Sequence, residues 1–226
     1  MEKYMKEKNN ILLKAVSVLL LVCTVGALLC SCGKGNKFLY QGEVFKDKKT
    51  DVVYRYALAC YEPISTEEEV YGSTDTTSFY ALSGKDPLKW LCEESGTIFY
   101  AEDVTLPYID EMDISYADIC AETTSTITRQ KIVDGGDLEA IINGYVEADG
   151  IYYLGKTPES TFKIRFADTS LGIYYSLTFI RYADDYTVYG EDSSETNYGK
   201  DFLYNRFEDK FVPAPAELVK YVDELV

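Results

Sequence analysis

The 226-residue chain contains no histidine. That absence removes Ser-His-Asp and Cys-His nucleophilic catalysis, and every histidine-bound zinc or haem site. No Cys-x-x-Cys spacing exists either, so a thiolate zinc site has no ligands to work with. Phosphate-cradling glycine loops, nucleophile elbows and dinucleotide fingerprints are all missing. Neither a cofactor nor a metal is expected from such residues. Positive charge is scarce: 22 Lys and Arg face 38 Asp and Glu, a net −16. A phosphate backbone is held by clustered cations, so no nucleic-acid partner is expected. The same deficit argues against the body lying flat on an anionic bilayer. For an enzyme, what remains is carboxylate, Tyr, Lys or Arg chemistry.

The N-terminus is the one basic, then apolar, part of the chain. Lys3, Lys6, Lys8 and Lys14 against Glu2 and Glu7 give residues 1–14 a net +2. Ala15–Leu29 follows, 15 residues whose only polar groups are Ser17, Thr24 and the Cys23 thiol. A spanning helix needs about 20 apolar residues. The polar stretch Gly33-Lys34-Gly35-Asn36-Lys37 comes next. A basic region, a short apolar region and a small residue before a cut form the layout of a signal peptide. Leu29-Cys30-Ser31-Cys32 resembles the lipobox of bacterial lipoprotein precursors, with Cys30 at the variable position as the one departure. The resemblance implies cleavage after Ser31 and diacylglycerol on the Cys32 sulfur. It places the protein on the outer face of a bacterial cell membrane, in the cell envelope, held there by lipid. Two or more acyl chains anchor a protein stably. An uncleaved anchor helix and a plain secreted protein are the alternatives. On this reading residues 1–31 are the signal peptide and 32–37 a lipid-anchored tether.

Removing residues 1–31 leaves 195 residues at −18. That length suits one domain or two small ones. Hydrophobic content of 46% is enough for a real core. Of six cysteines, three survive beyond Cys32: Cys60, Cys92 and Cys120. They read mainly as small buried hydrophobes, with one disulfide as the alternative.

Along the mature chain, Phe38–Phe45 and Val52–Tyr61 read as strands around the turn Lys46–Thr50. Pro63–Glu69 contains a helix start, and Asp86–Cys92 reads as a short helix capped by Asp86 with Pro87 at its first position. Thr76–Leu82 and Thr97–Ala101 read as strands. Ser115–Val133 is extended, by its Thr and Ile content. Leu138, Ile141, Ile142 and Tyr145 then follow at the i, i+3, i+4, i+7 spacing of an amphipathic helix capped by Asp137. Thr161–Phe166 alternates most cleanly. Ile173–Tyr182, Tyr186–Tyr189, Phe202–Phe207 and Phe211-Val212 continue a meander. Leu218, Tyr221, Val222 and Leu225 mark a last helix. The expected fold class is α+β: a mainly antiparallel sheet covered by two or three amphipathic helices. Residues 38–112 form an N-terminal half and 113–226 a C-terminal strand–helix–meander–helix half. Whether the halves are two similar subdomains or one sheet is left open.

Tyrosine stands at 21 residues, against 10 phenylalanines. By strand parity Tyr174, Tyr182 and Tyr189 fall opposite the apolar faces. Such rings can stack on sugars or form a protein-binding patch, though tyrosine also fits a half-buried sheet without any partner. Carboxylates cluster at Asp110/Glu111/Asp113, Asp184/Asp185 and Glu191/Asp192/Glu195. Glycoside hydrolysis needs two facing carboxyls, but turns are where Asp belongs anyway. No cluster has the alternating oxygens and glycine of a calcium loop. The leading expectation is therefore a lipid-anchored, non-catalytic envelope protein that binds a protein or polysaccharide of the envelope through a tyrosine-bearing sheet face. The rivals are a carboxylate-dependent hydrolase of glycans and a structural lipoprotein without a ligand.

Overall fold

Phe38 to Phe45 would make one strand by composition, but Gly42 turns left-handed at φ +73° and splits it. Two strands result, β1 (Asn36–Gln41) and β2 (Val44–Asp47), paired antiparallel with Phe38 opposite Asp47. This computed structural model describes residues 35–42, 44–122, 125–189 and 195–226. The signal segment 1–31, Cys32 and most of the tether therefore lie outside the described residues, as do Glu191, Asp192 and the side chain of Tyr189. Lys37–Val226 forms one compact unit.

The α+β expectation is wrong: the protein is mostly β. Its first part closes into a seven-stranded barrel, in the order β1, β2, β3 (Val53–Tyr56), β8 (Ile98–Ala101), β7 (Trp90–Glu93), β6 (Ser78–Leu82), β5 (Thr66–Ser73). Two stretches expected to start or form helices are strands of this barrel. Thr66–Ser73 is β5. Asp86–Lys89 makes a single turn, with Trp90 N–H bonding Asp86 O at 3.0 Å, before β7 begins. The reason is pairing: β7 has β6 on one side and β8 on the other, and Trp90, Leu91 and Cys92 are all buried. Short strands place only one or two side chains each inside a barrel. Here these are Phe38, Tyr54, Phe79, Leu91, Phe99 and Ala101, with Phe45 and Tyr71 against them. Edge-to-face rings fill the centre, Phe79 on Phe99 at 5.3 Å and Phe45 on Phe99 at 5.2 Å. The interior is thus a packed core.

The second part is an open antiparallel sheet ordered β10 (Thr126–Ile132), β9 (Ile114–Glu122), β11 (Ser160–Asp168), β12 (Ile173–Arg181), β15 (Asp201–Asn205), β16 (Lys210–Pro213). β15 pairs only with the second half of β12, from Thr178 to Arg181. The first half is taken by β4 (Tyr61–Pro63), a segment from within the barrel sequence. The two halves are therefore unlike in architecture and share β12's pairing. A ribbon of β13 (Thr187–Tyr189) and β14 (Glu195–Asn197) completes the strands.

Among the described residues there are two α-helices, α1 (Gly135–Glu147) and α2 (Ala216–Asp223). Asp134, not Asp137, caps α1: its carboxylate accepts from Asp137 N–H at 3.0 Å. Leu138, Ile141 and Tyr145 of α1 and Leu218 and Val222 of α2 join Ile119, Ile164, Phe166, Tyr175, Leu177 and Phe179 of the sheet in the main core. Trp90, Cys92 and Ile98 of the barrel join the same cluster. Cys60, Cys92 and Cys120 are buried and free. No helix among the described residues is long and apolar enough to cross a membrane.

Candidate functional site

Strand parity puts the remaining side chains of β9, β11 and β12 on the sheet's other face. Arg165 lies opposite both Asp118 and Ser176, and Lys163 opposite both Cys120 and Thr178. Thr178 in turn faces Tyr204. The face therefore carries two transverse polar rows, which a one-sided core permits.

The first row is largely paired internally, although Asp118 Oδ1, Arg165 Nε and the Ser176 hydroxyl make no hydrogen bond among the described residues. Asp118 is buried and takes Arg165 Nη2 at 3.5 Å, Lys131 Nζ at 3.8 Å and the Tyr174 hydroxyl at 3.3 Å. Tyr116 bonds Tyr174 OH at 3.1 Å, and Lys131 rides over the Tyr116 ring. A buried charge is tolerable when it is paired and hydrogen-bonded in this way.

The second row opens into a groove of about 240 Å³. Its walls include Ala59, Glu62, Lys163, Ser176, Thr178 and Phe207. Lys163 Nζ sits 2.6 Å from Glu62 and 3.3 Å from Glu122. Burial pulls the Lys163 ammonium downward, but the two carboxylates outweigh it and hold it above the ordinary lysine value. Ser176 is 8% exposed, and its hydroxyl finds no hydrogen-bond partner among the described residues. Phe207, 40% exposed, stands at the rim with Arg206 over its ring at 4.7 Å. A second groove, lined by Tyr61, Pro63, Ser95 and Thr97, shares Ala59, Glu62 and Lys163 with the first. Both grooves lie along the seam between barrel and sheet, with the Glu62–Lys163 pair in the wall of each.

No family model, curated protein or solved structure matches this chain. Its chemistry has to be read from the groove itself.

Cys60 lines the groove, but burial pushes its thiol up to about 12. A thiol so protonated is no nucleophile near neutral pH. Glu62 and Glu122 converge, yet a glycosidase needs one of its pair to carry a proton. Lys163, charged and held between them, supplies a counter-charge to both instead. No group of three metal-ligating residues forms among the described residues. The arrangement is suited to hydrogen bonding with a bound molecule.

Two of the tyrosines singled out by parity, Tyr174 and Tyr182, are buried and offer no open surface. Tyr174 is 6% exposed, held between Arg165 and Tyr116. Tyr182 is 3% exposed, packed on Tyr186 and Phe202. Parity could not see that Ile151 and Tyr153 pack against the cluster that holds Tyr182. The described acidic clusters lie on exposed turns: Asp110, Glu111 and Asp113 beside a 3-10 turn, and Asp184 and Asp185 before β13. The residues that sequence reasoning missed are Lys163, Ser176, Glu62 and Phe207. The alternation of Thr161–Phe166 does carry one signal, a lysine and an arginine on the non-core side of a strand.

Beneath the core face lies a second polar cluster. Glu208, in the β15–β16 turn, accepts hydroxyls from Tyr175 at 2.7 Å, Tyr108 at 3.0 Å and Tyr145 at 3.2 Å. Asn205 Nδ2 donates to Tyr175 OH at 2.9 Å. Burial raises the Tyr175 and Tyr145 hydroxyls far above the ordinary tyrosine value, with Glu208's charge adding to it. These hydroxyls stay protonated and serve as donors that tie the turn to α1 and to the connection at Tyr108.

Proposed function

We propose that the protein is a lipid-anchored, non-catalytic envelope protein, attached to the membrane through Cys32, that binds an envelope component in the groove around Lys163. The order of basic region, apolar region and lipobox supports the address. The single observation that carries the binding role is the buried, unpartnered Ser176 hydroxyl in a polar, solvent-open groove. Such a group costs free energy unless a ligand or water pairs with it. The proposed surface is therefore the groove, in place of a face built on Tyr174, Tyr182 and Tyr189.

The address is tested by mass spectrometry of the mature N-terminus, which should be a diacylglycerol-modified Cys32. Cys32→Ala should release the body from the membrane. The binding role is tested by recovering ligand from a native envelope fraction with wild type and with Ser176→Trp, which fills the groove. Equal recovery by both would refute it.

A further inference from the structure

The groove's chemistry narrows the class of ligand, an inference that rests on the binding role proposed above. Its charged groups balance: Glu62 and Glu122 against Lys163 and Arg206. An anion entering beside Lys163 meets two carboxylates, and a cation entering beside Glu62 or Glu122 meets the ammonium already there. Neither is favoured, because charge complementarity sets specificity through repulsion as much as attraction. A neutral molecule bearing both donors and acceptors meets no such penalty.

The polar groups on offer both donate and accept. Ser176 and Thr178 carry hydroxyls, Lys163 donates, and Glu62 accepts. Phe207 presents a partly exposed ring at the rim. A flat apolar face edged by alternating donors and acceptors is complementary to a pyranose ring, whose axial C–H groups stack while its hydroxyls pair. The volume of about 240 Å³ is below the roughly 300–1,000 Å³ of a drug-sized pocket, so it holds one ring. The neighbouring second groove, which shares Glu62 and Lys163 with the first, adds the hydroxyls of Ser95 and Thr97 on the barrel side. We propose that the seam between barrel and sheet binds a neutral oligosaccharide, with one ring between Phe207 and Ser176 and the next ring between Lys163 and Thr97.

The test uses the mature, lipidated protein in detergent micelles. Neutral homotrisaccharides of glucose, galactose, mannose and N-acetylglucosamine are titrated to millimolar concentration, with calorimetry and amide NMR shifts as readouts. At least one should bind and shift the amides of residues 176–178 and 205–207. Phe207→Ala should weaken that binding about tenfold without moving the unfolding midpoint, since the ring is partly exposed. Ser176→Ala should weaken it about fivefold. If none of the four binds, or if binding survives both substitutions, the saccharide assignment is overturned. Should a solubilised envelope fraction still shift the groove amides in that event, the ligand class is wrong and the binding role stands. If nothing shifts them, both fall.

Discussion

Glu208→Ala removes the one acceptor that three tyrosine hydroxyls share. Tyr175 and Tyr145 are fully buried, so their hydroxyls lose the charged acceptor and keep only each other and Tyr108 as acceptors. Each such loss costs about 1–3 kcal/mol. Tyr108 is half-buried and can turn to water, so it adds little. The expected loss is about 3–5 kcal/mol, a large share of the roughly 5–15 kcal/mol that holds a domain together. For a body of this size 1 kcal/mol moves the midpoint by about 2–4 °C, so Tm should fall by about 10 °C. Glu208→Gln keeps one carbonyl oxygen as acceptor, turns the other into an NH2 donor and loses the charge, and should cost about 1–2 kcal/mol. Urea unfolding followed by fluorescence of the buried Trp90, the one tryptophan, measures both. In the Glu208→Ala background, Tyr145→Phe should cost less than it does in wild type, because its hydroxyl has already lost the charged acceptor. An alanine variant within 1 kcal/mol of wild type, or a glutamine variant as damaged as alanine, would refute the reasoning.

The other predictions concern packing, charge and thiols. Gly144 faces Pro215, and a Cβ there would sit 2.6 Å from Pro215 Cγ; Gly144→Ala should lose about 1 kcal/mol in urea unfolding although alanine favours a helix. Lys220 and then Tyr221 hydrogen-bond Asp137 and hold its carboxyl below its ordinary value of 3.8. A depressed acid contributes stability that is complete above the unfolded value and fades as pH falls through the folded one. The gap in midpoint between wild type and Asp137→Asn should therefore be largest above pH ~5 and close in acid. Burial raises the Cys60 thiol to about 12 and the Cys92 thiol to about 11. Peptide mapping after treatment with a thiol reagent at pH 8 should find both unmodified in the native protein and modified in denaturant.

The C-terminal elements were legible because they are long enough to show a period. Ser160–Asp168 and Ile173–Arg181 are nine-residue strands with core residues at every second position. Leu138, Ile141, Ile142 and Tyr145 give α1 its stripe, and all four are buried. The barrel was not legible, and the reason is geometric. A four-residue strand such as Val53–Tyr56 sends one ring inward, Tyr54, and no alternation can be read from one position. Asp86-Pro87 carries a genuine helix-start signal, since the Asp86 carboxylate does accept Leu88 N–H at 2.9 Å. That turn is then cut short because Trp90, Leu91 and Cys92 pair on both sides, and tertiary pairing overrides local propensity. The helix start read in Pro63–Glu69 failed in the same way: Thr66–Glu69 are the exposed part of β5.

The groove was hidden for a different reason, which bears on where sites lie in such folds. Its residues come from five separated segments, 59–62, 122, 163, 176–178 and 204–207. Glu62 belongs to β4, the short strand that leaves the barrel sequence and pairs with β12. Its partner Lys163 belongs to β11. The ion pair therefore exists because β15 is too short to cover β12, leaving a place for β4. That splice joins the barrel segment to the sheet along β12, beside the seam that the two grooves line. A substitution breaking β4, such as Glu62→Pro, removes a backbone donor from the strand that pairs with β12. It should abolish the groove and loosen the barrel from the sheet together, whereas Glu62→Gln keeps the backbone pairing and should affect the groove alone. Unfolding that stays a single transition for Glu62→Gln but splits into two for Glu62→Pro would show that one strand sets both the architecture and the site. If both variants unfold as one transition at the wild-type midpoint, β4 is not the joint between the two parts.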